Sequence, residues 1–316
     1  MINWVIGRNG LLGSSVYKEL QLNGSNWQPS VGIKWAANDD AESITRMRES
    51  INDAALEFAL AQKGMSWNIY WCAGIGVVNS SKEQLHIEVL AVEQLLLALT
   101  NSKISIDFNG KVFFASSAGA VYAGSEKPPF TESSTPVAIS DYGRQKLKVE
   151  ELFTSFGESE KIKVIIGRIG NLYGTKQNQL KQQGLISTLV QNSLLNRFTN
   201  IYVPLDTIRN YVYTVDAARS IVSNVSESME PFHLVNICSD TNHSLSSVLK
   251  TAQDVSRRKI LYFQSSSDAT SLQPTDLRLS TERIPTQWPY TDTSLAVGIN
   301  NVRLHLLENL RLGKQL

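Results

Sequence analysis

The sequence predicts an α/β protein built on a parallel, doubly wound sheet, and three observations support this fold class. An apolar stretch at residues 1–6 is followed at once by a glycine-rich turn and then by helical periodicity. Two further apolar stretches, 68–73 and 112–115, end in small residues and precede helical patterns. Unbroken apolar runs are typical of strands buried on both faces, and strands that alternate with helices form parallel sheets.

The first turn has the pattern of a loop that holds phosphates. Residues 7–13 read Gly-Arg-Asn-Gly-Leu-Leu-Gly, a G-x-x-G-x-x-G spacing between a strand and a helix. Glycines at this spacing allow a tight turn, a close approach of backbone to a pyrophosphate and tight helix packing. The competing interpretation is an ordinary glycine-rich turn. The predicted contacts of a Rossmann-type dinucleotide site here are Gly7, Arg8, Asn9, Gly10, Leu11, Leu12 and Gly13.

The choice between NAD and NADP depends on the end of the second strand, which we place within residues 27–37. A ribose-binding Asp or Glu normally ends this strand. The stretch contains none, and Lys34 stands there instead. Together with Arg8, Lys34 slightly favours the 2′-phosphate of NADP over NAD. Asp39 or Asp40 would serve the ribose of NAD if the strand ended later.

A tyrosine and a lysine at helical spacing form the candidate catalytic pair. Tyr142 and Lys146 are four residues apart, so a helix places both side chains on one face, one turn apart. A phenol with a reference pKa near ~10 is a poor base at neutral pH, and a neighbouring cation favours its ionised form. We therefore predict that Tyr142 is a general acid/base.

The segments around this pair resemble the extended short-chain dehydrogenase/reductases, in the branch of the NAD-dependent epimerases/dehydratases. They read SSAGAVYAG at 116–124, YGRQK at 142–146, RIGNLYG at 168–174 and RNYVYTVD at 209–216. The resemblance implies a Rossmann domain at 1–170 and a mainly substrate-binding α/β subdomain at 171–316, with segments around 205–240 returning to the Rossmann core. It also implies a nucleotide-linked sugar as the substrate.

The resemblance leaves the catalytic hydroxyl open between neighbouring positions. The commonest register of the family puts a Ser or Thr three residues before Val121, and that position is Ala118 here. Members with a Ser-Ser-Gly-Gly-x-Val-Tyr pattern place a serine one residue earlier. This favours Ser117 as the catalytic serine, with Ser116 as the alternative.

Other site residues are implied by the resemblance alone. The further cofactor contacts are Ala73, Gly74, Ser116, Tyr142, Lys146 and Ile169. The substrate contacts are Ser117, Ala118, Asn171, Leu185 and Arg209. Arg209 would bind a phosphate, a task suited to guanidinium, and the competing interpretation is a surface arginine.

Three positions depart from the family pattern. Glu88 replaces an asparagine, and its alternative interpretation is a solvated or interface carboxylate. Asn210 replaces an aspartate beside Arg209. Gln273 stands where many nucleotide-sugar enzymes have a second phosphate arginine, and Arg278 is a candidate to compensate for it.

Missing acid/base groups narrow the predicted reaction. Dehydratases of this family carry Asp-Glu directly after the catalytic threonine, whereas residues 118–120 here are Ala-Gly-Ala. Members that also epimerise beside the ketone use a Cys and His pair, and no cysteine lies near Ser117. The prediction is a C4-type sugar epimerase, and the alternative is an NADPH-dependent ketoreductase or dehydrogenase. A non-catalytic dinucleotide sensor is a third reading, disfavoured because Tyr142 and Lys146 are both present.

Composition indicates a globular protein. The chain has 316 residues, 42% of them hydrophobic, and a formal net charge of +1. It has no basic run that could follow a nucleic acid, and neither an eighteen-residue apolar segment nor a hydrophobic leader, so we expect a cytoplasmic protein with no nucleic-acid or membrane partner. Cys72 and Cys238 are expected to be buried free thiols. The four histidines lack the spacing of metal ligands.

Two helical patterns carry more apolar positions than one sheet face needs. They are Leu85, Val89, Val92, Leu95, Leu96 and Leu99 in one, and Leu147, Val149, Leu152 and Phe153 in the other. The resemblance implies that these helices pair with their copies across a two-fold axis, so we expect a homodimer.

Overall fold

The main sheet has six parallel strands with helices on both faces, which confirms the predicted Rossmann-type α/β fold. The computed structural model describes residues 1–23, 25–74, 76–102, 110–177, 184–265, 274–283 and 292–313. In spatial order the strands are β2 (Ser25–Trp27), β1 (Ile2–Ile6), β3 (Trp67–Trp71), β4 (Lys111–Ser117), β5 (Lys163–Ile169) and β9 (Phe232–Ile237).

Alternate residues of the strands face two different layers of helices. One layer contains α2 (Ala41–Ala61), α3 (Lys82–Asn101) and α5 (Asp141–Glu160), and the other contains α1 (Leu11–Asn23) and α7 (Thr214–Glu227). Phe114 packs toward the first layer and Phe113 toward the second, as the pleat of a strand requires. Burial on both faces explains the unbroken apolar runs of these strands.

The second strand begins and ends earlier than predicted. It pairs with β1 from Ser25 to Trp27, and residues 28–40 form a loop before α2. The ring of Trp27 packs edge-on against Trp4 and Phe58, with centroids 5.3 and 5.1 Å away, and this contact fixes the strand. The prediction of a strand within 27–37 is therefore wrong.

A smaller α/β layer follows β5. Its sheet strands are β6 (Asn171–Tyr173), β8 (Ile208–Tyr213), β10 (Asn242–Ser244) and β12 (Asp276–Leu277), beside a second pair, β7 (Thr199–Ile201) and β11 (Tyr262–Gln264). Its helices are α6 (Leu185–Leu194), α8 (Leu245–Ser256) and α9 (Leu295–Arg311). A short helix, α4 (Ala118–Val121), follows β4 directly. The proposed domain boundary at residue 170 falls between β5 and β6.

One chain covers most of the apolar side chains that suggested a dimer. Of the ten residues named above, all but Leu147 and Leu152 are buried, and those two are partly buried. The surplus apolar surface inferred from α3 and α5 is therefore not present. The homodimer rests on the family resemblance alone and stays a prediction.

Candidate functional site

The carboxyl ends of β1 and β3 open onto one crevice. From β1 the chain moves outward to β2 and then returns to β3 on the other side of β1, so the direction of winding changes there. Ligands of open α/β sheets bind at such a switch point. A cavity of about 510 Å³ lies in this crevice, between the glycine loop, the loop after β2 and the residues after β3.

The glycine loop is shaped for close contact with backbone. Gly7 has a φ of 88°, and a Cβ there would lie 2.7 Å from the amide nitrogen of Ala73. A Cβ on Gly13 would overlap the Gly7 carbonyl oxygen, which accepts a 2.9 Å hydrogen bond from the amide of Gly10. This cradle, at the N-terminus of α1, fits the pyrophosphate of a dinucleotide.

Five of the predicted loop contacts take different positions around this cradle. Arg8 and Asn9 line the cavity, as does Gly10. Leu12 packs its side chain into the core, and Leu11 begins α1. The leucines can therefore offer their backbone amides, which at a helix N-terminus lack intrahelical acceptors.

The far wall of the cavity comes from the loop after β2 and the residues after β3. Gln28 follows the strand directly, and its Nε2 is buried without a hydrogen-bond partner among the described residues. A buried orphan donor is costly unless a ligand or water accepts from it. Trp35 lines the cavity edge-on to Trp71, with centroids 6.0 Å apart, and Ala73 and Gly74 line it beside Cys72.

Lys34 does not take the predicted place at the cofactor cavity. It lines a separate polar pocket against α2, in the company of Arg46, Glu49, Asp53 and Glu57. The reason is the early end of β2, which leaves Lys34 in a loop tied to α2 by its amide hydrogen bond to Ser50 Oγ at 2.9 Å. Gln28, which the sequence analysis missed, occupies the position after the strand. Asp40 caps α2 by accepting from the Ser43 amide.

Tyr142 and Lys146 lie in the first turns of α5, which is capped by the Ser140 hydroxyl. The Lys146 ammonium lies 5.6 Å from the ring centroid of Tyr142 and 5.1 Å from that of Phe114. Lys146 is buried and has no ion-pair partner among the residues that the structure describes.

Glu88 connects the cavity with the catalytic helix. Its Oε1 accepts a 2.6 Å hydrogen bond from the Gly76 amide, and its Oε2 accepts one of 3.2 Å from Gln145 Nε2. A Cβ on Gly76 would lie 3.2 Å from Cε2 of Tyr142, so the phenol stands beside this loop. Glu88 also lines the cavity. It is therefore neither a solvated nor an outward-facing carboxylate.

The two serines at the end of β4 face opposite sides of the strand. Ser116 is buried, and its hydroxyl donates to Glu150 on α5 at 2.5 Å. It is thus bound to protein and does not offer its hydroxyl to a cofactor, contrary to the prediction. Ser117 is half-buried, ends β4 and makes no capping bond. Alternation places its side chain on the face of the strand away from that of Ser116.

Two other predicted contacts near the strand ends are enclosed by protein. Ala118 has no exposed surface, so the prediction that it contacts substrate is not supported. Ile169 stands beside Ser117 in the strand register and packs between the sheet and the α1 and α7 layer. The neighbouring Gly119 instead faces Asn171, because a Cβ there would lie 3.8 Å from the Asn171 Oδ1.

A buried network joins α5 to β5. Arg168 Nε and NH2 donate to both carboxylate oxygens of Glu150, the shortest bond being 2.7 Å, and NH1 donates to Tyr122 Oη at 2.9 Å. Burial opposes the charge of Arg168, but the hydrogen bond and charge of Glu150 raise its pKa above the ordinary value. Burial raises the pKa of Tyr122, whose hydroxyl donates to the Thr131 carbonyl.

The remaining residues predicted to contact substrate lie in the smaller layer. Asn171 is exposed, and Leu185 is half-buried and begins α6 after Gly184. Arg209 is buried in β8, which excludes a surface arginine, and it donates to the Ile208 carbonyl at 2.8 Å. Burial lowers the pKa of Arg209. A buried guanidinium whose remaining N–H donors can bind a ligand is suited to a phosphate.

The departures from the family pattern have local explanations. Asn210 is fully paired, because its amide donates to the Ser239 carbonyl and its Oδ1 accepts from the Ser239 amide, both at 2.8 Å. Arg278 is ion-paired with Asp276 at 2.8 Å, so it has no free charge for a phosphate. Gln273 lies outside the described residues.

The thiols are unsuited to acid/base chemistry. Cys72 and Cys238 are free, as expected, but each residue is half-buried rather than fully buried. Burial raises the pKa of each thiol to about 12. In the part of the chain that the structure describes, no group of His, Cys, Asp and Glu could hold a metal ion. None of the helices described there has the length and apolarity to cross a bilayer.

The fold, the glycine loop and the crevice define a dinucleotide-binding protein, and its Tyr142–Lys146 pair lies beside the loop at Gly76. Comparison with known families agrees, because the NAD dependent epimerase/dehydratase family matches residues 4–238. The chain belongs to this family.

Individual relatives and solved structures are similar to this chain at modest sequence identity. A candidate UDP-glucose 4-epimerase of Methanocaldococcus jannaschii is 29% identical over 223 residues, 68% of this chain and 70% of the relative. The dTDP-4-dehydro-6-deoxyglucose reductase of Escherichia coli is 28% identical over 162 residues, 49% of this chain and 48% of the relative. The UDP-glucose 4-epimerase of Thermotoga maritima, solved with UDP-glucose, is 20% identical, covers 98% of this chain and 100% of its own, and superposes with a TM-score of 0.74. At this identity the structural match shows the fold.

Proposed function

We propose that this protein is an NAD(P)-dependent epimerase of a nucleotide-linked sugar that acts by transient oxidation at a C4-type carbinol. The observation that carries this proposal is the buried Lys146 ammonium, 5.6 Å from the ring of Tyr142, which stands beside the loop at Gly76. The larger of the two curated matches, to the Methanocaldococcus jannaschii protein, supports the same reaction class.

Each group then has a defined task in the reaction. A bound nicotinamide dinucleotide supplies the acceptor and donor of a hydride. Tyr142 acts as the phenolate when it removes the carbinol proton and as the phenol when it returns it, and the Lys146 cation stays beside the ring in both steps. Ser117 donates a hydrogen bond to the substrate oxygen. Arg209 holds the substrate phosphate, and Asn171 faces the sugar across Gly119.

The lack of a second acid/base pair supports simple oxidation and reduction. Residues 118–120 carry no ionisable group, and burial raises the pKa of the nearest thiol at the cavity, Cys72, to about 12. Removal of water or epimerisation beside the ketone needs further proton transfers, for which these positions offer no group.

A reductase that consumes NADPH is the second candidate. It is favoured by Arg8, the only cation among the described residues that line the cavity, and by the absence of a carboxylate at Gln28. The Escherichia coli relative is also named as a reductase.

A direct assay separates the two reactions. We expect the purified protein to interconvert UDP-glucose and its C4 epimer with no added cofactor, because an epimerase returns the hydride within one cycle. Protein that stays inactive alone but consumes NADPH in proportion to a 4-keto-sugar would establish the reductase. A protein that does neither would contradict both proposals.

Arg8 is also expected to set the preference for NADP. Arg8→Gln should weaken NADP binding by about tenfold or more and leave NAD binding nearly unchanged, because a charge-assisted hydrogen bond contributes ~1.5–3 kcal/mol. Quenching of tryptophan fluorescence measures both affinities, since Trp35 and Trp71 line the cavity. Lys34→Gln is the matched control, because Lys34 lies in a separate pocket. An equal loss of NADP affinity in this variant would show that Lys34 binds the 2′-phosphate after all.

A further inference from the structure

Lys146 stands between two groups on its own helix that can attract its charge. Tyr142, Lys146 and Glu150 follow one another at intervals of four residues on α5, so they form one stripe along the helix. The Lys146 ammonium lies 5.6 Å from the centroid of the Tyr142 ring, and Tyr142 is one helical turn before Lys146. Glu150 is one turn after it. A carboxylate at this spacing attracts a lysine, and more strongly in a buried setting of low dielectric constant.

Other groups occupy the carboxylate of Glu150. Arg168 Nε lies 3.1 and 3.3 Å from its two oxygens, and Arg168 NH2 lies 2.7 Å from Oε2. The Ser116 hydroxyl donates to Oε1. The two charged side chains are only 6% and 9% exposed, so water does not screen the pair. The Lys146 ammonium lies 5.1 Å from the centroid of the Phe114 ring and 5.6 Å from that of the phenol.

Arg168 is itself held in place. Its NH1 donates to Tyr122 Oη at 2.9 Å, and its guanidinium lies 5.1 Å from the centroid of that ring. Tyr122 in turn donates to the Thr131 carbonyl at 2.9 Å. Rotation of Arg168 away from Glu150 would leave buried donors without acceptors, which is costly. The pair therefore stays closed in the folded protein.

We propose that Arg168 is a positioning residue that, by neutralising Glu150, keeps the Lys146 ammonium directed at Tyr142 and the dinucleotide cavity. The proposal rests on the proposed function of Tyr142 and Lys146. When Arg168 is removed, the unpaired charge of Glu150 is expected to draw Lys146 away from Tyr142 and so to lower kcat. Removing that charge as well should therefore restore the site.

The test is a set of three variants. Arg168→Met is expected to lower kcat by about 10- to 100-fold with KM within about threefold, because it disables part of the acid/base machinery rather than substrate binding. The double variant Arg168→Met/Glu150→Gln is expected to regain kcat within about threefold of the unmodified protein. Glu150→Gln alone should keep kcat and lower the thermal midpoint, because it leaves a buried guanidinium without its anion.

A purely structural role predicts a different pattern. In that case the double variant would be as slow as Arg168→Met, and the variants with the lowest thermal midpoints would also have the lowest kcat. This pattern would overturn the proposal. Arg168→Lys serves if Arg168→Met does not fold, because it keeps a cation against Glu150. Lysine cannot repeat the bidentate hydrogen bonds, but neutralising Glu150 needs only the cation, so we expect it to retain kcat within about threefold. A folded Arg168→Lys protein that has lost tenfold or more would equally overturn the proposal.

Dinucleotide affinity tests the proposal without turnover. If Lys146 also binds the nicotinamide ribose, Arg168→Met should weaken dinucleotide binding by about tenfold and the double variant should restore it, as measured by tryptophan fluorescence. Equal affinities in all variants would count against the proposal. A protein that turns over no UDP-sugar would refute the proposed function and leave this affinity test valid.

Discussion

Tyr142→Phe is expected to lower kcat by ~10²–10⁴-fold, the usual contribution of a general acid/base. The substitution removes the hydroxyl and keeps the ring that stands beside Gly76 and the Lys146 ammonium. Dinucleotide affinity should therefore change little. Steady-state kinetics with a UDP-sugar and fluorescence titration with the dinucleotide measure the two effects separately.

Tyr262→Phe is the control for this prediction. Tyr262 lies on β11 in the smaller layer, and it is 38% exposed. Its loss should leave kcat unchanged. A Tyr142→Phe protein with more than about a tenth of the original rate would remove Tyr142 from the acid/base role, since such a loss falls below the usual range.

Ser117→Ala is expected to lower kcat by about 10²-fold, as the loss of one hydrogen-bond donor to a developing oxyanion does. Ser117 is the half-buried hydroxyl at the open end of β4, and it makes no capping bond to α4. Substrate affinity should change less than kcat, because the bond strengthens as charge develops on the substrate oxygen. Kinetic measurements of kcat and KM test this.

Ser116→Ala is the matched variant one residue earlier. Its hydroxyl is bound to Glu150, so its removal should lower the free energy of unfolding by about 1–3 kcal/mol and change kcat by less than tenfold. If Ser116→Ala were the slower enzyme of the two, the assignment of the catalytic serine to Ser117 would be wrong. If neither variant were slow, the substrate oxygen would depend on Tyr142 alone.

The features that could be predicted from the sequence are local in the chain. The glycine spacing at 7–13 identifies a turn between strand and helix, and the positive φ of Gly7 shows why glycine stands there. The four-residue spacing of Tyr142 and Lys146 likewise places both side chains on one face, because helical geometry alone fixes that relation. The same helical geometry places Glu150 on the face of Lys146, one turn later.

The features that the sequence did not predict depend on contacts between segments that are far apart in the chain. Trp27 ends β2 because it packs on Trp4 and Phe58, and no local pattern distinguishes that strand from the apolar loop that follows. The same packing places Gln28 at the cavity and moves Lys34 away from it. The cofactor preference suggested by Lys34 was therefore a consequence of the wrong strand boundary.

The sequence by itself determined the doubly wound fold, the glycine turn between β1 and α1, and the placement of Tyr142 and Lys146 on one face of α5, because each follows from periodicity or spacing within a few turns of chain. Only the tertiary structure decided that Glu150 pairs with Arg168, that Ser116 is bound inside the protein and that Arg209 is buried. These outcomes depend on the register between strands and on the docking of α5 against the sheet. Which charged groups pair depends on the distances between elements in the folded protein, and the spacing of residues along one element does not determine those distances.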